Sequence, residues 1–417
     1  MAIHGLATGG DAVGRQQGGV GDGRTTFVAL AAPGERVQVR LVRRQARVAW
    51  GELIAIHQDP LCAARVAPPC PLFGRCGGCQ WQHVDLGVQR AEKRKIVARA
   101  LGLPDVPLLA PVETGQGYRD RAQLVVGGEG QIGFRARRSH LVVDVERCHL
   151  FSSELARALD GLRAGGSSLP AGTEIDLQCG REGVHVAVTM AGPADAGAAA
   201  ARARALLLAW ASAGVVGVRV RAGGGEGASG AADVDLAGPE EAPLRIPAGV
   251  FAQVGRAGNG ALIATVLDEM GRAPGAVLEL YAGSGNFTRA IAARATRVFA
   301  CDADGAAVAR GRRHVPAATW SDRAPSAGQV DADIVLADPP REGLDGPNLA
   351  AAVQARRRFV YVSCDPQTLG RDAARVIAAG FVLRRAVALD LMPHTFHVEV
   401  VATFDRAVAP PGASVSQ

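Results

Sequence analysis

The sequence predicts a multidomain α/β protein: a small N-terminal β-barrel, an α+β middle region carrying a cysteine-rich loop, and a C-terminal doubly wound, mainly parallel sheet. Three observations lead there. The chain of 417 residues exceeds the usual size of one hydrophobic core. Between residues 24 and 57, short apolar and β-branched runs alternate with turn residues. From about residue 256, strand-like and helix-like segments alternate regularly, the pattern of a parallel sheet covered by helices.

In chain order, "TTFVAL", "RVQVRLV" and "RVAWGELIAI" read as barrel strands, separated by Pro33 and Gly34. The proline-rich stretch "RVAPPCPLFGRCGGCQWQ" ends the barrel and is too irregular for a helix or strand, so a ligand would have to order it. Residues 86–101 have helical composition. The middle region to about 245 mixes the strands "AQLVVG", "HLVVDV", "HVAVTM" and "GVRVRA" with the helix "AGAAAARARALLLAWA", and "RAGGGEGASGAAD" reads as a flexible loop. Beyond 256, "AVLELY", "RVFACD", "DIVLAD" and "FVYVS" are strands, each followed by a helical segment, and two further strands close the sheet. Domain divisions are expected at 1–60, 61–250 and 251–417, with helix 86–101 packing on the last unit.

Composition narrows the function classes. With 48% apolar and 21% charged residues the chain is an ordinary globular protein, and no run of about 18 apolar residues exists to span a bilayer. The start, "MAIHGLATGGDAVGR", lacks a basic segment followed by an apolar one, so the cytoplasm is the expected compartment. Eight cysteines in a reducing compartment read as ligands, nucleophiles or core residues rather than disulfides. The net charge of +6 is modest, but three basic clusters lie in the first third: Arg36 to Arg47, Arg90 to Arg99, and Arg135 to Arg138. Such clusters suit a polyanion.

"LELYAGSGNFT", residues 278–288, is a strand, a turn containing Gly283 and Gly285, and a helix start. The glycines permit close approach of a ligand. Neither a G-x-x-x-x-G-K-[ST] phosphate loop nor the third glycine of a dinucleotide fingerprint is present. Asp302 ends the next strand, where a carboxylate accepts hydrogen bonds from ribose hydroxyls. A nucleoside without a pyrophosphate fits this pattern, and S-adenosylmethionine is one. "ADPPREGL" ends a later strand with Asp338 and two stiff prolines. "YVSCDPQTL" places Cys364 directly after another strand, on the edge where ligands of such sheets bind.

A thiol there has a specific use. Carbon 5 of uracil is a poor nucleophile until a thiolate adds to carbon 6; a base must later remove the carbon-5 proton. Glu399, in "PHTFHVE", is a candidate base.

The chain resembles the RNA 5-methyluridine methyltransferase family, and most closely its iron-sulfur branch acting on large-subunit (23S) ribosomal RNA. "FAQV" at 251–254, "YAGSGNFT" at 281–288, "ADPPR" at 337–341, "YVSCDP" at 361–366 and "PHTFHVE" at 393–399 carry the likeness in order. The resemblance implies a Rossmann-like class I methyltransferase domain with Cys364 as nucleophile, Glu399 as proton-abstracting base and Asp338 as an active-site carboxylate. It implies Gln253, Tyr281, Gly283, Gly285, Asn286, Asp302 and Asp338 around the methyl donor. Phe251 resembles the aromatic beside the target base, Arg119 and Arg121 resemble RNA-facing residues, and residues 1–60 resemble the OB-like TRAM barrel. Two departures are Gly255, where an asparagine commonly follows "FQV", and Asp365, where asparagine is common.

Cys70, Cys76, Cys79 and Cys148 could hold zinc or an iron-sulfur cluster, and spacing alone does not separate the two. The resemblance implies a structural [4Fe-4S] cluster. Cys62, Cys179 and Cys301 read as core residues, and His394 and His397 as residues that shape a turn or contact RNA. The expected protein is a monomeric rRNA uracil-5 methyltransferase; a tRNA uracil-5 methyltransferase and a noncatalytic RNA-binding or ribosome-assembly protein are the alternatives. The four-cysteine set favours the rRNA branch, and joint retention of Cys364, Glu399 and Asp338 argues against a noncatalytic protein.

Overall fold

The computed structural model describes residues 1–16, 23–57, 64–165, 169–236, 244–326 and 328–407; Cys62 lies outside them. The first five strands, Ala2–Leu6, Ala12–Arg15, Thr25–Val28, Val37–Arg44 and Val48–Ile56, form one sheet in the order 1-2-3-5-4. An Ala2–Arg36 bridge, with Ile3 N donating to Glu35 O at 2.9 Å and Val37 N to Met1 O at 2.8 Å, joins the first strand to the fourth and closes the sheet on itself. Ile3, Leu6, Val28 and Val37 fill its interior, and Trp81 from the cysteine-bearing turn packs against them. The indole donates to Gly10 O at 3.1 Å, so the turn is pinned to the barrel by one buried ring.

Helix Leu86–Leu101 starts at Asp85, whose side chain accepts from Gly87 N and Val88 N, and stops at Gly102 in the left-handed conformation, φ 67°. Two of its basic residues, Lys93 and Arg90, turn inward, while Lys95 and Arg99 of the same cluster stay exposed. Lys93 is fully buried, its Nζ 2.5 Å from Asp390 Oδ1, and Arg90 reaches the same carboxylate at 3.3 Å. Arg94 pairs with Asp105 and Lys95 with Glu92. The Lys93, Arg90 and Arg94 pairs bind the helix to its surroundings, while Lys95 and Glu92 pair within it; a buried ammonium persists only with a close counter-ion.

The middle region is a seven-stranded sheet whose core includes Leu124, Leu155, Leu177, Val186 and Trp210, with helices Ser153–Ala164 and Ala196–Trp210 packed on it. The segment expected as a flexible loop at 221–233 contains a strand instead: Gly225–Gly230 pairs antiparallel with Val215–Ala222. Its glycines have a steric cause. A Cβ at Gly227 would stand 2.2 Å from Ala200 N, and one at Gly225 2.3 Å from Ala194 O, so only a bare backbone lets helix Ala196–Trp210 lie this close.

The C-terminal sheet has eight strands, in the order Thr319–Ser321, Arg297–Cys301, Ala276–Leu280, Ile334–Ala337, Arg358–Ser363, Glu399–Arg406, Phe381–Leu389 and Leu108–Leu109. Glu399–Arg406 runs antiparallel to both neighbours, while the other adjacent pairs are parallel. The strands Ala276–Leu280 and Ile334–Ala337 are buried throughout, as continuous apolar runs between helical layers should be. Helix Arg256–Met270 and the short strand Thr319–Ser321 were not read from the sequence. Cys301 and Cys179 are buried, as expected of core residues. No helix among the described residues is long and apolar enough to cross a membrane.

Replacing Lys93 by Met should leave Asp390 buried with Arg90 as its remaining cation and lower stability by about 3 kcal/mol, the lower end for a broken buried pair. Chemical denaturation measures this. The double substitution Lys93→Met with Asp390→Leu should recover a large part of the loss, because it removes the stranded charge.

Candidate active site

Strand register builds the site. Ser363 pairs with Val400 across antiparallel strands, so the same register carried one residue further sets Glu399 opposite Cys364. Ala337 pairs with Tyr361 on one side and Leu280 on the other, which places Asp338 beside the same edge, next to Tyr281. Leu280 also pairs with Cys301, bringing Asp302 alongside. Five strands therefore deliver Tyr281, Asp302, Asp338, Cys364 and Glu399 to one rim.

That rim lines a cleft of about 650 Å³, within the range of about 300–1,000 Å³ usual for small-ligand pockets. Phe251, Gln253, Tyr281, Gly283, Asn286, Asp302, Asp338, Cys364, Glu399 and Arg121 all line it. Gly285 lies in the same turn, behind the lining, where its φ of 103° and that of Gly283, 56°, are left-handed. Tyr281 has φ 59°, a conformation that costs a non-glycine residue and that functional sites retain. Asp302 accepts from Gly283 N and Asp304 N, each at 2.8 Å, so this carboxylate also holds the glycine turn in shape. Asn286 is clamped by an amide pair with Asn259, two reciprocal bonds of 2.9 Å.

Phe251 is 75% exposed, an unusual state for a large ring, and the Arg121 guanidinium lies 5.6 Å from its centroid. Arg121 is held by Asp176 at 2.7 Å. Arg119 goes elsewhere: it lines a second cavity with Cys70, Cys76, Cys79 and Cys148, and its Nε is buried without a hydrogen-bond partner among the described residues. The two departures are explained locally. Gly255 precedes helix Arg256–Met270, and a Cβ there would meet Tyr118 O at 2.1 Å. Asp365 caps helix Pro366–Ala378 by accepting from Gln367 N and Thr368 N, a task asparagine would do equally.

The electrostatics are those of acids crowded out of water. Burial, reinforced by Asp338, pushes Glu399 up to about 8. Burial alone pushes Asp338 up to about 7. Cys364 rises to about 11 through burial, with Glu399 and Asp338 adding to it and Arg341 opposing. Beneath them, Glu279 is pushed up to about 8 by burial, opposed by the Thr288 hydroxyl and reinforced by Asp338 and Asp302. In the cysteine cavity, burial pushes Cys79 up to about 12 and raises Cys76 and Cys148, while Arg119 pulls each down. Buried thiols of this kind are poor nucleophiles until a cation joins them.

Sequence reasoning missed Asn259, Glu279 and Arg341 as site residues. Arg341 was visible in "ADPPR"; the Asn259–Asn286 pair joins residues 27 apart and had no sequence signal.

Residues 327–406 match the family model described as tRNA (Uracil-5-)-methyltransferase. The chain is 34% identical to the 23S rRNA (uracil(1939)-C(5))-methyltransferase RlmD of Chromohalobacter salexigens over 100% of this chain and 91% of that protein. It is 31% identical to the protein of the same name from Halomonas elongata, over 96% of this chain and 88% of the relative. Its fold resembles the crystal structure of Pyrococcus abyssi tRNA (uracil-54, C5)-methyltransferase in complex with S-adenosyl-L-homocysteine, with a TM-score of 0.74, 23% identity, and coverage of 97% of this chain and 99% of that one.

The Glu279 carboxyl titrates in the fold well above its usual range, so the stability it confers is full below about pH 4.5 and is lost as pH rises through about 8. Glu279→Gln removes this dependence. Thermal melts of the variant and the parent should nearly coincide at pH 5 and diverge by pH 9, with the variant the more stable.

Proposed function

We propose, because this chain belongs to the RNA uracil-5-methyltransferase family, that it methylates carbon 5 of a specific uridine in 23S rRNA with S-adenosylmethionine as the methyl donor. The observation that carries the reading is the register that sets Cys364 against Glu399, with Asp338 beside them. The donor's site is argued from the loop: nothing lies within 4 Å of a Cβ built at Gly283, so a ligand can rest on the bare backbone. Gln253, Tyr281, Asn286, Asp302 and Asp338 would surround it.

In this reading the Cys364 thiolate adds to C6 of the uracil, and the C5–C6 π electrons move to form an enolate across C5, C4 and O4. When bound, S-adenosylmethionine supplies a positive charge and a methyl group, which C5 attacks with its electron pair while the methyl–sulfur bond breaks and the sulfur keeps that pair. Glu399 then removes the C5 proton, the C5–C6 double bond re-forms, and the Cys364 thiolate leaves. A cation among these groups favours the ionised thiol and carboxylate, which burial otherwise disfavours. Phe251, exposed at the cleft mouth, would stack on the base once it leaves its own stack.

RNA contacts are assigned to the barrel and the middle region. The closed five-stranded sheet, with its third and fifth strands parallel, supports reading this part as an OB-like TRAM domain. Arg36, Arg40, Arg43, Arg44 and Arg47 are exposed on it, and Arg43 lies 4.8 Å from the Trp50 ring centroid. Cys70, Cys76, Cys79 and Cys148 would hold a [4Fe-4S] cluster that orders their turn. They line one cavity, yet among the described residues no three His, Cys, Asp or Glu groups converge on a single ion.

Cys364→Ala should bind RNA and donor but transfer no methyl group. Glu399→Gln should allow addition and methyl transfer and then stall, accumulating a denaturant-resistant protein–RNA adduct that carries label from the donor. If Cys364→Ala turns over normally, the thiol is structural and the mechanism fails. Protein purified without oxygen should be brown and contain about four irons per chain; one zinc and no iron would overturn the cluster assignment and leave the methyl transfer intact.

A further inference from the structure

Three arginines line the cleft. Arg121 is neutralised by Asp176, and Arg256 by Asp120 and Glu154. Arg341 has no carboxylate partner among the described residues; its guanidinium instead lies 3.4 Å from Nδ1 of His397, which also lines the cleft. A guanidinium can only donate, so Nδ1 accepts and carries no proton. The neutral ring must then hold its proton on Nε2, for which no partner is recorded among the described residues. Burial and the Arg341 charge push His397 down to about 4, in agreement with a ring that stays neutral at physiological pH. Its backbone N donates to Thr395 Oγ1 at 3.3 Å, and its ring packs on Phe396, 4.1 Å between centroids. The ring is thus held in place two residues before Glu399.

We propose that His397, with Nδ1 held by Arg341, donates its Nε2–H to the C4 oxygen of the target uracil and stabilises the enolate that forms when Cys364 adds to C6. The inference rests on the uracil-5 methylation reading and adds what that reading lacks, a donor for the charge the thiolate creates. Addition of a thiolate moves one full negative charge onto the base, at a rim that already holds Asp338, Glu399 and Cys364 and where Arg121 and Arg256 are committed to other carboxylates. A fixed donor at O4 lowers the barrier because it needs no reorganisation when the charge appears. The same geometry favours uracil over cytosine, whose C4 carries an amino donor that would face the Nε2–H. In this scheme His397 is the catalytic residue and Arg341 the positioning one.

The test uses RNA substrate containing 5-fluorouridine at the target site, where the absent C5 proton leaves Glu399 nothing to remove and the adduct accumulates. His397→Phe keeps a ring but has no donor; His397→Gln keeps an N–H. Adduct formation should fall roughly 100-fold to 1,000-fold in His397→Phe, the effect of losing one oxyanion donor, and His397→Gln should recover at least about 10-fold of it. Affinity for S-adenosylhomocysteine, measured by calorimetry, should be unchanged in both. Arg341→Met should slow adduct formation at saturating RNA, and Arg341→Lys, which can still donate to Nδ1, should restore much of the rate. Adduct formation in His397→Phe within about 3-fold of the parent, or a Gln variant no better than Phe, overturns the assignment of His397. Parent protein that methylates no uridine overturns the functional reading itself, and with it this inference.

Discussion

Desolvation of acids at the carboxyl edge of the C-terminal sheet is the constraint on which the site depends. Asp338, Glu399 and Cys364 are brought together by backbone register rather than by mutual attraction; burial raises all three, Asp338 adds to the rise at Glu399, and both carboxyls add to the rise at Cys364. Folding tolerates this because their protonated forms are neutral and the apolar strands beneath them pay no charge penalty. The arrangement stores a demand for positive charge. Arg341 meets part of it, and the reaction proposed here has a cationic reactant that would meet more. A thiol that burial keeps protonated in the free protein is protected against side reactions of a free thiolate.

The C-terminal sheet was legible because its strands are buried on both faces and read as continuous apolar runs, each ending in a residue with chemistry. Asp302, Asp338 and Cys364 could be placed on one edge from those endings alone. Glu399 was harder, since its place opposite Cys364 depends on an antiparallel strand that the sequence does not orient. Two misreadings have physical causes. The glycines at 225–230 look like a loop in any local window, and their reason is a helix backbone packed against them. The basic run at 90–99 reads as a surface for a polyanion, but burial turns Lys93 and Arg90 into internal ties to Asp390, 297 and 300 residues away. A local pattern carries no information about such partners.

Arg119 and Arg121 illustrate how little sequence distance says about destination. They sit two residues apart, yet Arg121 reaches Asp176 and the Phe251 ring while Arg119 lies with the four cysteines. One begins the strand Arg121–Val126 and is directed by it, whereas the other precedes the strand and is fixed by backbone bonds to Leu150 and Ser152. The same short segment therefore borders both the cleft and the cysteine cavity.

The two sites also share a second support. Immediately after Cys79, the backbone N–H groups of Gln80 and Trp81 both donate to His394 O at 3.0 Å. His394 is held further by Gln89, through its backbone N to Oε1 at 2.9 Å and its ring to Nε2 at 3.2 Å. Tyr118 donates to Pro393 O at 3.0 Å, from the residue before Arg119. The turn at 393–398 has no regular structure of its own, and it takes a left-handed φ of 65° at His394. What fixes it is the set of donors from the cysteine-bearing turn, helix Leu86–Leu101 and Tyr118. Because His397 and Glu399 follow directly from this turn, order among the cysteines and order at the rim are mechanically one property, and a structural role for a bound cluster would extend to the reacting groups without any electron transfer.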